Sequence, residues 1–330
     1  MSPIFWSVYA DPLLQRLRAL GLGAHVAGLF MGAVCYADDM LLIAPTRTAM
    51  QRMLHELEIF AQEANVTFST DPVPTKSKTK CIYVVGNKKN LSKPSPLVLC
   101  GRELPYVKQA EHLGNMLTEE GNMDHDAEIK RAKFIHSAAE IRELFKSAAP
   151  AEVIKALKVY ASSFYGSNLW DLGGPKARQV FTAWNTSVKL AWGLPQQTRT
   201  YILQQVLSCG FTSARMDILA HYVKFFHGLL SSTSLEVMVL ARLLGRDIQS
   251  VTGKNLCLVQ ELTQLNPWTA KSAQLKATIV ENEMVDVPPQ DLWRLPYLCS
   301  LLTQRSTAFF LANEEEQDRL TDLIHSLVTN

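Results

Sequence analysis

No apolar run in this chain approaches the roughly 18 to 20 residues that a membrane span requires. No basic leader stands at its start, so the expectation is an intracellular, soluble protein. Nucleus and cytoplasm stay equally open, because no dense basic localisation run is present. An excess of charge of one sign is also missing. Lys and Arg number 33 against 31 Asp and Glu, a net charge of +2. Global electrostatics therefore do not announce a nucleic-acid partner, and any such role must rest on a local patch. Cysteine is sparse and scattered: Cys35, Cys81, Cys100, Cys209, Cys257 and Cys299. No two lie at metal-knuckle spacing and no Cys-His cluster accompanies them, which argues against zinc. Cys35, Cys81 and Cys299 sit in apolar surroundings and read as buried free thiols of a reducing compartment. There is no repeat period and no low-complexity tract.

What is present describes a globular protein. The 330 residues are 47% apolar and 19% charged, enough for two or three domains and a sizeable core. The chain is organised around Ala33-Val34-Cys35-Tyr36-Ala37-Asp38-Asp39-Met40-Leu41-Leu42-Ile43-Ala44. Two short apolar runs flank an acidic pair, which predicts two strands joined by a tight turn with carboxylates at its tip. Adjacent carboxylates repel unless a cation neutralises them. Their hard oxygens suit Mg²⁺, which takes one or two carboxylates plus water and substrate phosphates. An Asp-Asp pair alone is most often only a solvated turn, so the flanking residues must decide.

Before the hairpin, Ser2-Pro3 reads as a helix start. Phe5, Val8, Tyr9, Leu13, Leu14, Leu17 and Leu20 follow at helical spacing, with Pro12 as a blemish and Gly21 as the stop. After the hairpin, Thr46 caps a helix whose stripe is Met50, Met53, Leu54, Leu57, Phe60, Ala61 and Ala64, expected to cover the sheet. Lys76, Lys78 and Lys80 alternate ahead of Cys81-Ile82-Tyr83-Val84-Val85, which reads as a strand. Three ammonium groups on one side of an extended chain would suit a triphosphate, though a basic loop is commonly just solvated. Gly101-Arg102 reads as the turn of a hairpin. Gly114, in His112-Leu113-Gly114, reads as either a close backbone approach or a bulge.

From residue 124 the pattern turns helical. A helix over 124–148 is expected, with Ile129, Ala132, Ile135, Ala139, Ile141 and Phe145 inward and Lys130, Arg131, Lys133, Arg142 and Lys146 largely outward. Further helices are expected over 151–170, 176–192, 200–207, 213–230, 235–244 and 313–328, with a break at Gly173-Gly174-Pro175.

Together these stretches resemble the reverse transcriptase of LINE-type (non-LTR) retrotransposons, from mid-palm to thumb. Tyr36-Ala37-Asp38-Asp39 matches the catalytic hairpin of that family. Ser2 and Pro3 look like the end of a template- and nucleotide-contacting motif. Lys78 and Lys80, with Lys76 a lesser candidate, are similar to the lysine motif near the triphosphate. Leu113-Gly114 looks like the turn of the primer grip. The resemblance implies an α+β fold: a partial palm over 1–120, with an antiparallel sheet, catalytic hairpin and packed helices. Thumb-like helices follow over 121–174 and a helical C-terminal region over 175–330. It also implies RNA-directed DNA polymerase chemistry with Mg²⁺ or Mn²⁺ on Asp38 and Asp39, a lysine at 78 or 80 assisting the triphosphate, and an RNA template with a DNA primer. Tyr36, Ala37, Leu113 and Gly114 would contact nucleotide or primer.

The family pattern carries a further metal-binding aspartate on an earlier palm strand, preceded by fingers, and this sequence starts after that point. Asp11 lies on the first helix and cannot replace it. Two-metal chemistry draws carboxylates from two strands, so the expectation is weak or no polymerisation by the chain alone, with a missing N-terminal segment or partner chain. Two further readings stay open: a nucleic-acid-binding or protein-interaction module without catalysis, and a remnant without function.

Overall fold

The computed structural model describes residues 3–71, 73, 76–84, 94–194, 196, 200, 214–271 and 274. The expected helices over 200–207 and 313–328, together with Ser2, Val85, Cys209 and Cys299, lie outside the described residues. The chain divides into two compact units: Met1–Met123 with Ser232–Leu243, and Asp124–Ser231 with Leu244–Asn330.

In the first unit α1 runs over Pro3–Leu20 and keeps Pro12 inside it. It stops at Gly21, whose φ of 65° a residue with a side chain adopts only under strain. Only the second half of the expected stripe is inward. Ala10, Leu13 and Leu17 are buried, whereas Phe5 and Val8 are each 70% exposed. Toward its start Tyr9 reaches α2, its ring edge-on to Phe60 at 6.0 Å and its hydroxyl donating to Ala64 O, while Phe5 and Val8 project to solvent. Helix α2 (Arg47–Ala64) begins as its sequence demands: Thr46 is extended and accepts the Ala49 N–H at 3.1 Å. Such a cap is worth about 1 kcal/mol. Its Met53, Leu54, Leu57 and Phe60 join Leu13 and Leu17 in one core with Leu97, Leu99 and Leu104.

The strands of this unit are short antiparallel pairs. They are β1 (His25–Val26) with β2 (Leu29–Phe30), β3 (Ala33–Tyr36) with β4 (Asp39–Leu42), β5 (Leu97–Leu99) with β6 (Arg102–Leu104), and β7 (Gln109–His112) with β8 (Asn115–Thr118). Among the described residues they stand as four two-stranded ribbons rather than as one palm sheet. The first two ribbons are stitched together: Ile43 N–H donates to Gly32 O and Ala24 N–H to Ile43 O, both at 2.8 Å. That approach needs Gly23 and Gly32, since a Cβ on either would lie within 2.6 Å of the other's Cα. The strand expected at Cys81 is reduced to a single bridge, Cys81 with Tyr106. Its apolar residues resemble a strand, but a strand needs a ladder, and among the described residues the pairing stops at that one bridge.

In the second unit α3 (Asp124–Leu144) packs along α5 (Pro175–Ala191). The buried face of α3 is Ala127, Phe134, Ala138 and Ile141. The expected inward residues Ala132, Ile135, Ala139 and Phe145 are exposed, so the face is turned by about one residue. Alanine and apolar residues occur all round this helix, and the partner decides which side is core: Phe134 stacks on Trp184 of α5, ring centroids 5.6 Å apart. Lys130 is not outward either. Its ammonium reaches Asp126 at 2.8 Å.

The helix expected over 151–170 is broken. It runs as α4 (Pro150–Ala156), widens into a π-turn at Leu157–Ala161, and resumes only as a 3₁₀ turn at Ser167–Leu169. Then α5 opens on Pro175 after Gly174, α6 spans Ala214–Leu230, and α8 spans Val251–Thr263. Between them α7 (Leu235–Arg246) contributes its first turns to the first unit, where Arg18 reaches Glu236 at 3.0 Å. Helix α8 was not expected, yet it carries a sequence signal: Ser250 caps it by accepting Gly253 N–H at 2.9 Å. No described helix is long and apolar enough to cross a membrane.

Candidate catalytic hairpin

The hairpin forms where the sequence predicts it, with register Ala33↔Leu42, Val34↔Leu41, Cys35↔Met40 and Tyr36↔Asp39. This leaves Ala37-Asp38 as a two-residue turn. The acidic pair is therefore split: Asp38 is in the turn, while Asp39 opens β4 opposite Tyr36. Residues paired directly across an antiparallel ribbon share a face. Ala33, Cys35, Met40 and Leu42 make the inner face, and Ala33, Met40 and Leu42 pack on the core of this unit. Val34, Tyr36, Leu41 and Asp39 make the other. There Val34 is 53% and Tyr36 68% exposed, an open apolar shelf that ends in a carboxylate.

The turn differs from those of the other ribbons at its second residue. Ala37 has φ 51°. In the other three ribbons the turns are Ala27-Gly28, Cys100-Gly101 and Leu113-Gly114, each with φ positive at both residues and glycine second. That is the pairing two-residue hairpins favour, because its twist matches that of the strands. Ala37-Asp38 has no glycine, and placing a side-chain-bearing residue in the left-handed region costs about 1 kcal/mol. Ala37 carries that cost as Ala27, Cys100 and Leu113 do in the other turns, and Asp38, without a positive φ, takes the second position that glycine fills in those three.

Asp38 and Asp39 are exposed, and neither side chain has a hydrogen-bond or ion-pair partner among the described residues. Two carboxylates with water suffice in donor chemistry for one hard divalent cation. A pair of ions needs a bridging carboxylate from elsewhere. Among the described residues no group of three or more His, Cys, Asp and Glu is assembled. In donor chemistry the pair matches one hard divalent cation, and among the described residues no third such group joins it to serve two.

The other expected site residues are on separate segments of this unit. Pro3 opens α1. Lys76, Lys78 and Lys80 are all exposed, alternating with the buried Ser77. Ser77 pins the loop: its hydroxyl donates to Thr79 O at 2.5 Å and accepts from Asp71 N–H at 3.3 Å. Cys81 N–H then donates to Pro105 O at 3.1 Å, and Val107 N–H to Cys81 O at 2.9 Å. Leu113-Gly114 forms the β7–β8 turn, φ 47° and 73°, so Gly114 is neither a bulge nor a strand-interior approach. Gly101 likewise shares its turn with Cys100, one residue before the expected position. The thiols of Cys35, Cys81, Cys100 and Cys257 are free, and burial pushes Cys81 up to about 11. Cys35 and Cys81 are only partly buried.

No family model matches the chain. A curated relative is the "Retrovirus-related Pol polyprotein from type-1 retrotransposable element R2" of Nasonia vitripennis, 26% identical over 113 residues. That segment is 34% of this chain and 10% of the relative, so the chain spans a small part of the polyprotein it matches. This similarity supports a retrotransposon-related origin for the chain.

Proposed function

We propose that the β3–β4 hairpin is the carboxylate turn of a retrotransposon-derived reverse transcriptase, with Asp38 and Asp39 as ligands of a divalent cation. The observation that carries this reading is the split pair at the hairpin tip: two carboxylates, without a partner among the described residues, held beside an exposed Tyr36 and Val34. The similarity to a retrotransposon polyprotein agrees with it. In such a site a bound Mg²⁺ neutralises charge on the reacting phosphate oxygens. The chain's own part is to hold two oxygen donors at a fixed strand end and to offer an apolar shelf for a sugar or base. Lys78 or Lys80 would meet a triphosphate as a point charge. An additional carboxylate would have to join Asp38 and Asp39 for two-ion chemistry.

The test is primer extension on a primed RNA template with Mg²⁺ and with Mn²⁺, beside Asp38→Asn/Asp39→Asn. Extension by the wild type and none by the variant is the expected pattern if this chain holds a sufficient ligand set. Equal extension by both would remove the carboxylates from the chemistry. A second reading, nucleic-acid binding without polymerisation, is favoured by the absence of a third ligand group among the described residues. It predicts no extension by either protein and binding that the double variant retains or improves.

A further inference from the structure

The second unit holds a groove between α3 and α5, about 330 Å³ in volume, room for a few aliphatic side chains. Arg131, Ile135 and Arg142 line it from α3, and Ala183, Thr186 and Leu190 from α5. No acidic residue lines it among the described residues. Arg131 and Arg142 are eleven positions apart, a whole number of turns to within about 20°, so they lie on one face of α3. The helical rise separates them by about 16 Å. The apolar part of the lining is open, with Ile135 44% and Leu190 41% exposed.

The acids nearby on α3 are committed to other cations. Asp126 holds Lys130, Glu128 holds Lys176 and His125, Glu140 holds His136, and Glu143 holds Lys146. Neither Arg131 nor Arg142 has an ion pair among the described residues, and Arg131 Nε is closed off from solvent with no acceptor. Across the groove, α5 carries Lys176, Arg178 and Lys189 and no acid at all. A matching occupant therefore offers an apolar stripe with a negative or acceptor group at each end, about 16 Å apart.

One segment of this chain is written that way. Over 313–328, Leu320, Leu323, Ile324, Leu327 and Val328 recur at helical spacing. Glu316 stands one turn before Leu320 on the same stripe, whereas Glu315, Asp318 and Asp322 fall on the opposite side. We propose that this segment docks as a helix in the α3–α5 groove of its own chain, its apolar stripe on Ile135, Ala183 and Leu190. Glu316 meets one of the two arginines through a charge-assisted hydrogen bond. The other arginine faces the carbonyl end of the segment around Leu327, where a helix leaves unpaired C=O groups and partial negative charge. Glu316 and Leu327 are separated by the same rise as Arg131 and Arg142, so both ends match at once. Residues 275–312, fully extended, would span on the order of 100 Å, so reach does not limit the contact. The site lies within the second unit and does not rest on the polymerase reading of the hairpin.

The experiment is amide hydrogen exchange of the full chain, read by mass spectrometry over 313–328. An isolated helix of this length is marginal in water, so protection there reports docking. The wild type should exchange at least about tenfold more slowly over this segment than Leu323→Asn/Leu327→Asn, which removes the stripe. Thr186→Trp, which fills the groove without changing charge, should lose the same protection. Glu316→Arg should lose it too, and pairing that change with Arg131→Glu or with Arg142→Glu should restore it in one of the two combinations, which gives the direction of the docked helix. Thermal melts show whether each groove variant is folded. Should one not fold, the groove is read unaltered: exchange over 183–190 should quicken in Leu323→Asn/Leu327→Asn. An unprotected 313–328 in the wild type would overturn the proposal, as would wild-type protection in folded groove variants. So would protection that disappears on about a hundredfold dilution, which would assign the contact to a second copy. Primer extension is read separately, so failure here and failure of the hairpin reading are distinguishable.

Discussion

Asp126 and the Asp38-Asp39 pair show two opposite uses of a carboxylate, one in each unit. Asp126 is 2% exposed and fully committed: it accepts from Lys130 Nζ and from Trp170 Nε1, both at 2.8 Å. The Trp170 backbone is held in turn by Asn255, itself 0% exposed, which donates to Trp170 O at 2.8 Å and accepts Leu172 N–H at 2.9 Å. This network fastens the start of α3 to the chain that leads into α5. Asp38 and Asp39 have no such partner among the described residues. A carboxylate that is locked stabilises a fold, and one that is displayed without a partner is available to a ligand.

The contrast can be broken by mutation. Asp126→Ala should cost about 3 kcal/mol, because it strands a nearly buried ammonium and an indole N–H together. Urea denaturation of the full chain measures it, and a loss below about 1 kcal/mol would mean that water or relaxation replaces the network. A smaller effect is expected for an exposed committed acid. The hydrogen bond from Lys176, helped by His125, holds the Glu128 carboxyl below its ordinary 4.5. A depressed folded value contributes stability above the unfolded pKa and loses it as pH falls through the folded one. Stability of the wild type should therefore decline below about pH 4.5 more steeply than that of Glu128→Gln, read as melting temperature against pH. The smallest effect belongs to the displayed pair. Asp38→Asn/Asp39→Asn should change stability by no more than about 0.5 kcal/mol by the same urea measurement. A large loss there would show the pair to be structural and would remove the basis for a ligand site.

Local sequence rules carried far in the first unit. Thr46 and the stripe through Met53, Leu57 and Phe60 are legible because a cap and a 3.6-residue period are written within one helix. The hairpin at Tyr36-Ala37-Asp38-Asp39 is legible for the same reason, since alternation and turn lie within a dozen residues. Its split into turn and strand residues is not, because register is set by which face the core takes. The rules failed where an element has more than one acceptable face or partner. Helix α3 has apolar residues on several sides, and Trp184 selects Phe134 over Ile135. Cys81-Ile82-Tyr83-Val84 has strand composition and, among the described residues, forms one bridge, Cys81 with Tyr106. The run after Pro150 is helical by composition, yet it widens at Leu157–Ala161 and turns at Gly166, φ 79°.

The sequence by itself determined the Thr46 cap, the hairpin around Tyr36-Ala37-Asp38-Asp39 and the acidic pair, because each depends on neighbours within a few residues. Only the tertiary structure decided which face of α3 is core and that Asp126 is locked while Asp38 and Asp39 are displayed. Those outcomes depend on residues far apart in sequence, 44 positions for Asp126 with Trp170 and 85 for Trp170 with Asn255, and no local pattern encodes which distant side chain arrives.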